Sequence, residues 1–236
     1  SLQYTTDNIV VTHNLLECCR IYGKIKRFIH VSTDEVYGES TINDYSKKSE
    51  SSILYPTNPY SATKAGAELI AMAYHHSYKM PIIVTRGNNV YGNRQFPEKL
   101  IPKFICLLRN NKKCTIHGTG QNLRSFIHVN DVVKAFDIIL NKGQIGEIYN
   151  IGSNDEYSVI NIAKLLINKL KPGETFTNFI EYIKDRDFND WRYDIDTFKL
   201  KSLGWEQTIN FENGINSVID WYTKIDDIDK YWNIKI

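Results

Sequence analysis

Two adjacent carboxylates, Asp34 and Glu35, follow the apolar run Arg27-Phe28-Ile29-His30-Val31 and the pair Ser32-Thr33. The run reads as a buried strand, and in open α/β sheets ligands bind at the carboxyl ends of strands. Paired carboxylates at such an end can supply a proton donor and a proton acceptor; taken alone, the same pair reads as a solvated turn. Tyr60 and Lys64 place a phenol and an ammonium one helical turn apart. They too can move protons, or be an ordinary i,i+4 surface pair. The amide-rich loop Gly87-Asn88-Asn89-Val90-Tyr91-Gly92 fits ligand binding or simple turn chemistry. Arg124 and Arg186 are either anion ligands or members of structural ion pairs. His30, His75, His76 and His117 have no cluster at ligand spacing and read as packing or surface residues, so no metal is expected.

The elements that must position these groups follow from periodicity and punctuation. Residues 6–22 read as an amphipathic helix, with Ile9, Val10, His13, Leu16 and Cys19 on one face and Gly23 as the stop. A strand over 27–31 precedes the acidic loop, and 39–58 is a polar surface excursion. A long helix from Pro59 to Tyr78 carries Tyr60 and Lys64, with proline tolerated in its first turn. Residues 81–86 form a second buried strand, and 97–109 a helix. Short strands at 115–117 and 124–127 flank a Gly118-Thr119-Gly120 turn. Asn130-Asp131 caps a helix to Leu140, 147–152 is a strand, and Ser158 opens a helix to about Leu170. A short helix capped by Asp196 and an amphipathic one over 211–224 complete the chain. Strand–helix alternation up to 109 predicts parallel pairing. The expected division is 1–109, half of a Rossmann-type domain, and 110–236, a smaller α/β lobe with some elements returning to the first.

Composition narrows the function. The 236 residues carry 29 basic and 27 acidic side chains, a net charge of +2, which is no polybasic footprint for nucleic acid. No run approaches the roughly 18 apolar residues of a membrane span. Four cysteines, two of them adjacent at 18 and 19, match no zinc spacing and suit a reducing cytoplasm.

Ser32 to Gly38, Tyr-x-x-x-Lys at 60–64 and Asn88-Asn89-Val90-Tyr91-Gly92 resemble the extended short-chain dehydrogenase/reductase superfamily. Phe96-Pro97-Glu98-Lys99-Leu100-Ile101-Pro102 and the stretch Arg186 to Tyr193 narrow the resemblance to nucleoside-diphosphate-glucose 4,6-dehydratases, which act on dTDP-glucose or UDP-glucose. Where related sequences have proline after the arginine, this chain has Asp187. The resemblance implies roughly ninety further residues upstream, with the glycine fingerprint for the cofactor pyrophosphate. The fold expected here is therefore α/β: an incomplete Rossmann-like parallel sheet lacking its first βαβ units, with a smaller C-terminal substrate lobe.

The implied reaction is an internal redox dehydration through NAD, giving a 4-keto-6-deoxy sugar nucleotide of the kind that leads to rhamnose and other deoxy sugars. By resemblance Tyr60 is the base for the C4 hydroxyl and Thr33 hydrogen-bonds it. Lys64 stabilises the phenolate, since a nearby cation favours the ionised form, and bonds the nicotinamide ribose. Glu35 removes the C5 proton and Asp34 protonates the leaving C6 hydroxyl. Asn89 faces the cofactor, while Asn88, Lys99, Leu100, Arg124, Arg186, Asn189 and Tyr193 contact the sugar nucleotide. A homodimer through helices 6–22 and 59–78 is implied as well. Two rivals stand beside this reading: a related epimerase or decarboxylase, which would lack one or both of Asp34 and Glu35, and a fragment inactive by itself, with the strand at 27–31 as an unpaired edge.

Overall fold

The computed structural model describes residues 2–40, 46–186 and 188–226. Its elements, in chain order, are α1 (Leu2–Tyr4), a π-helical stretch (Thr5–Val10), α2 (Val11–Tyr22), β1 (Phe28–Thr33), a 3-10 turn (Asp34–Tyr37), α3 (Pro59–Tyr78), β2 (Ile82–Gly87) and β3 (Asn89–Tyr91). Then come α4 (Leu100–Arg109), β4 (Cys114–His117), β5 (Leu123–His128), α5 (Val129–Lys142), β6 (Ile148–Ile151), β7 (Glu156–Ser158), α6 (Val159–Leu170), a 3-10 turn (Phe176–Phe179), β8 (Ile180–Ile183), α7 (Phe198–Ser202) and α8 (Phe211–Thr223). Among the described residues no helix is long and apolar enough to cross a membrane.

The chain forms two compact units, each assembled from three stretches. The first takes the described residues of Ser1–Asn88, Val132–Ser153 and Arg192–Glu206; the second takes those of Asn89–Asp131, Asn154–Trp191 and Gln207–Ile236. The first division thus falls directly after β2, and α4 belongs to the second unit.

The first unit is built on a parallel sheet in the order β1-β2-β6. Central β2 is buried along almost its whole length, as expected of an apolar run covered on both faces. Ile82 and Val84 meet Leu16, Ala71, Tyr74 and Met80 in the core; each such large apolar side chain contributes about 1.5–3 kcal/mol relative to exposure. The register pairs Thr33 with Gly87 and Gly87 with Ile151, so the three strands end side by side. β1 lies at one edge of this sheet, and Val31 within it is 54% exposed.

Helix α3 has the predicted limits. Asn58 caps it, its side chain accepting from Ser61 N–H, with Pro59 in the first turn. The helix predicted over 6–22 begins earlier, at Leu2, and contains a π segment, a form common near functional sites. That segment meets α3, where Asn8 donates to Thr63 Oγ1 at 2.9 Å. Only Leu16 of the predicted apolar face is fully buried, and Val10 and His13 stay exposed, because the packing partners lie on one side alone. The predicted cap of the helix after β5 is also corrected. His128 Nδ1 accepts from Asn130 N–H, whereas the Asp131 carboxylate accepts from Thr208 N–H, Thr208 Oγ1 and Ile209 N–H.

The second unit holds β3-β5-β7 and the pair β4-β8. The strands at 114–117 and 123–128 do not pair with each other; β4 pairs with β8, and β5 lies between β3 and β7. Its core gathers Phe104, Ile105, Ile116, Phe126, Leu166, Phe211 and Tyr222.

Candidate active site

In the first unit the acidic pair begins the 3-10 turn that leaves β1. Thr33 caps this turn, its Oγ1 accepting from Glu35 N–H at 3.3 Å. Gly38 ends it at φ 76, where a Cβ would collide with the Tyr55 carbonyl; glycine alone fits. Asp34 is 4% exposed. Its Oδ1 accepts from Thr33 Oγ1 at 3.1 Å and its Oδ2 from Asn88 Nδ2 at 2.6 Å. Glu35 is half-buried and accepts from Asn58 Nδ2 at 3.2 Å.

Tyr60, in the first turn of α3, shares the field of both carboxylates. Burial, then Glu35 and Asp34, push its phenol up to about 12. Its hydroxyl makes no hydrogen bond among the described residues, and its ring meets that of Tyr4 edge-on at 5.7 Å. Lys64 sits one turn further along α3. Its Nζ donates to the Val31 carbonyl at 2.6 Å, on the edge strand, and burial holds its ammonium below the ordinary lysine value, against the opposing pull of Glu68. The reason is geometric: a long side chain one turn along α3 meets an edge-strand carbonyl that its ammonium can satisfy.

Asn88 has partners that its type and spacing did not reveal. It is 6% exposed, and its amide bridges Asp34 and Ser153, whose N–H it accepts at 3.1 Å. Its amide thus links the strand ends.

A buried polar network, unforeseen from the sequence, fixes this scaffold. Arg86, at the end of β2, pairs with Glu68 of α3, the two side chains being 3% and 2% exposed. Arg86 also donates to Tyr37 Oη at 2.7 Å, and Tyr37 donates to Asn150 Oδ1 at 2.8 Å. Asn150 N–H in turn donates to Glu50 Oε1 at 2.9 Å. Helix, acidic turn and sheet are joined through charge and hydrogen bonds. A charged residue closing an apolar strand was the available signal, but its partner was invisible.

The remaining predicted residues divide. Tyr193 is buried in the first unit. Asn89, exposed, opens β3 of the second unit. There Arg124 Nη1 donates to the carbonyls of Leu123, Asp190 and Trp191, and its Nη2 to Asn189 Oδ1 at 3.3 Å. Asn189 Nδ2 and Arg186 N–H both donate to Asp185 Oδ1. The Arg186 side chain is exposed, and Asp187 lies outside the described residues. Lys99 is exposed and pairs with Glu98 at 3.0 Å; Leu100 packs against the core. The structure therefore brings together Thr33, Asp34, Glu35, Tyr60 and Asn88 in one unit, and Arg124 with Asn189 in the other. Among the described residues no three His, Cys, Asp or Glu side chains are grouped to hold a metal ion.

Residues 1–218 match the family described as GDP-mannose 4,6 dehydratase. A trifunctional UDP-glucose 4,6-dehydratase/UDP-4-keto-6-deoxy-D-glucose 3,5-epimerase/UDP-4-keto-L-rhamnose-reductase of Arabidopsis thaliana is 50% identical over 224 residues, covering 95% of this chain and 33% of that protein. A dTDP-D-glucose 4,6-dehydratase of Dictyostelium discoideum is 46% identical over 261 residues, covering 94% of this chain and 60% of its own length. The crystal structure of dTDP-glucose 4,6-dehydratase from Bacillus anthracis in complex with NAD superimposes with a TM-score of 0.89 at 38% identity, over 99% of this chain and 72% of that one. The chain spans about a third of the first relative and three fifths of the second.

Proposed function

Because the chain belongs to the GDP-mannose 4,6 dehydratase family, we propose that it carries the catalytic residues of a nucleoside-diphosphate-glucose 4,6-dehydratase acting on dTDP-glucose or UDP-glucose. The observation that carries this reading is the acid pair beside Tyr60: two carboxylates with different partners, in the field of one phenol.

Each residue has a defined task. Tyr60 takes the proton of the C4 hydroxyl, and Thr33 steadies that hydroxyl. With C4 a ketone, the C5–H bond is acidified and Glu35 removes its proton. The electron pair moves into a C4–C5–C6 conjugated system as the C6–O bond breaks, and Asp34 gives the departing hydroxyl its proton to make water. When bound, NAD would supply the acceptor for the C4 hydride and its return to C6, and Glu35 gives its proton back to C5 as that hydride arrives. The side chains fit its nicotinamide end. Tyr60 offers a hydroxyl with no partner among the described residues, and the Lys64 ammonium has N–H groups beyond the one given to Val31. Asn89 is the third candidate contact.

Asn88, Arg186, Lys99, Arg124, Asn189, Leu100 and Tyr193 are proposed contacts of the sugar nucleotide. Exposed Val11, Leu15, Ile21, Tyr22, Leu69 and Tyr78 on α2 and α3 favour a two-fold homodimer through these helices. The four thiols are free, which suits the cytoplasm. The test is turnover of dTDP-glucose against UDP-glucose with the product identified by NMR. A 4-keto-6-deoxy sugar is expected, with kcat for Asp34→Asn lower by about 10²–10⁴-fold. A 4-epimer, or unchanged water loss in that variant, overturns the reading.

A further inference from the structure

Asp34 and Glu35 are neighbours in sequence and have to do opposite jobs, and each meets a different asparagine. After β1, β2 and β6 end in register, the next residues are Asp34, Asn88 and the Gly152-Ser153 pair. Asn88 Oδ1 accepts the Ser153 N–H at 3.1 Å, so the amide nitrogen must point the other way, to Asp34 Oδ2 at 2.6 Å. A backbone N–H can only be met by the oxygen of the carboxamide, which settles its orientation. Position 152 is glycine, and a Cβ there would run into Asn88 Oδ1.

Asn58 repeats the arrangement at the start of α3. Its Oδ1 accepts Ser61 N–H at 2.9 Å, and its Nδ2 is left to donate to Glu35 Oε2 at 3.2 Å. Glu35 is thereby held at the N-terminus of a 20-residue helix, where the helix dipole favours an anion. Asp34 instead has a hydroxyl, that of Thr33, on its other oxygen. A hydroxyl can reverse from donor to acceptor, so this carboxyl group is served with or without its proton.

We infer that Asn58 and Asn88 are positioning residues for the acid pair, Asn58 holding Glu35 as the carboxylate base and Asn88 fixing the direction of the Asp34 carboxyl group. The inference rests on the dehydratase reading and adds to it the two groups that orient the carboxyl pair.

The decisive variants are Asn58→Asp and Asn88→Asp. Each keeps the oxygen that the backbone N–H needs, and aspartate caps helices as well as asparagine does; each replaces the donor by a second carboxylate. Asn58→Asp should move the acidic limb of the kcat profile to higher pH by about one pH unit, because a like charge resists ionisation of Glu35. Asn88→Asp should move the alkaline limb upward by a similar amount, as Asp34 and its new neighbour share a proton. Asn58→Ser, which keeps a cap but cannot reach Glu35, should lower kcat and move the acidic limb to higher pH by less than Asn58→Asp does, because a donor is lost without a like charge being added. Carboxyl-carbon NMR titrations, assigned with Asp34→Asn and Glu35→Gln, read the same shifts without turnover. Unmoved carboxyl titrations in well-folded aspartate variants would sink the inference. A wild-type protein that makes no 4-keto-6-deoxy sugar, with the titrations shifted as expected, would sink the dehydratase reading and leave the asparagine clamps standing.

Discussion

In the first unit polar side chains at the strand ends bind one another: Asn88 to Asp34, Arg86 to Glu68 and Tyr37, and Tyr37 to Asn150. In the second, Arg124 and Asp131 bind mostly backbone. Arg124 donates to three carbonyls, and Asp131 accepts from the N–H groups of Thr208 and Ile209. The first pattern fixes the direction of the side chains proposed to transfer protons, which is what general acid–base chemistry requires. The second braces loops, while the exposed cations Lys99 and Arg186 stand at its surface. On the proposed function, chemistry and binding are prepared differently: one by side-chain networks, the other by a braced backbone carrying long, exposed cations.

The strongest challenge to this contrast is the buried pair beneath the acid turn. Glu68→Gln leaves the Arg86 charge uncompensated, and about 3–5 kcal/mol of stability should be lost in urea denaturation. The double variant Glu68→Leu/Arg86→Met should recover most of it. A single variant as stable as wild type would show that the network does not hold the first unit together.

A pH scan probes the same unit. His30 is buried in β1 near Lys64, and desolvation, then that ammonium, bring its imidazole down from 6.5 to about 4, opposed by Glu68. The unfolded chain takes up a proton at His30 as the pH drops below 6.5, and the folded chain resists until about 4. Stability should therefore be complete above 6.5 and decline by on the order of 3 kcal/mol as the pH falls through that window. His30→Leu should flatten this part of the curve; an unchanged decline would place its origin elsewhere.

The smallest effect belongs to the second unit. Arg186→Ala should raise KM for the sugar nucleotide about 10-fold, the worth of a hydrogen bond to a charged group, with kcat nearly unaltered and the melting temperature unmoved. A fall in kcat instead would mean that this surface takes part in the chemistry, and the contrast between the units would lose its meaning.

Much of this was legible beforehand because its causes are local. Pro59 to Tyr78 was bounded as α3 because an asparagine cap and an N-terminal proline act within one turn. The apolar runs before Asp34 and Asn88 were legible as strands, and Asp34, Glu35, Tyr60 and Lys64 were picked out by type and spacing. The partners of those groups were not. That Asn88 faces Asp34 depends on the register of three strands whose ends are separated by long stretches of chain. That Lys64 meets the Val31 carbonyl depends on how α3 lies along β1. Sequence by itself determined which chemical groups this protein has and on which elements they ride. Only tertiary structure decided which group holds which, because hydrogen-bond partners are chosen by distance and direction in space, and adjacent letters such as Asp34 and Glu35 can be turned to different asparagines.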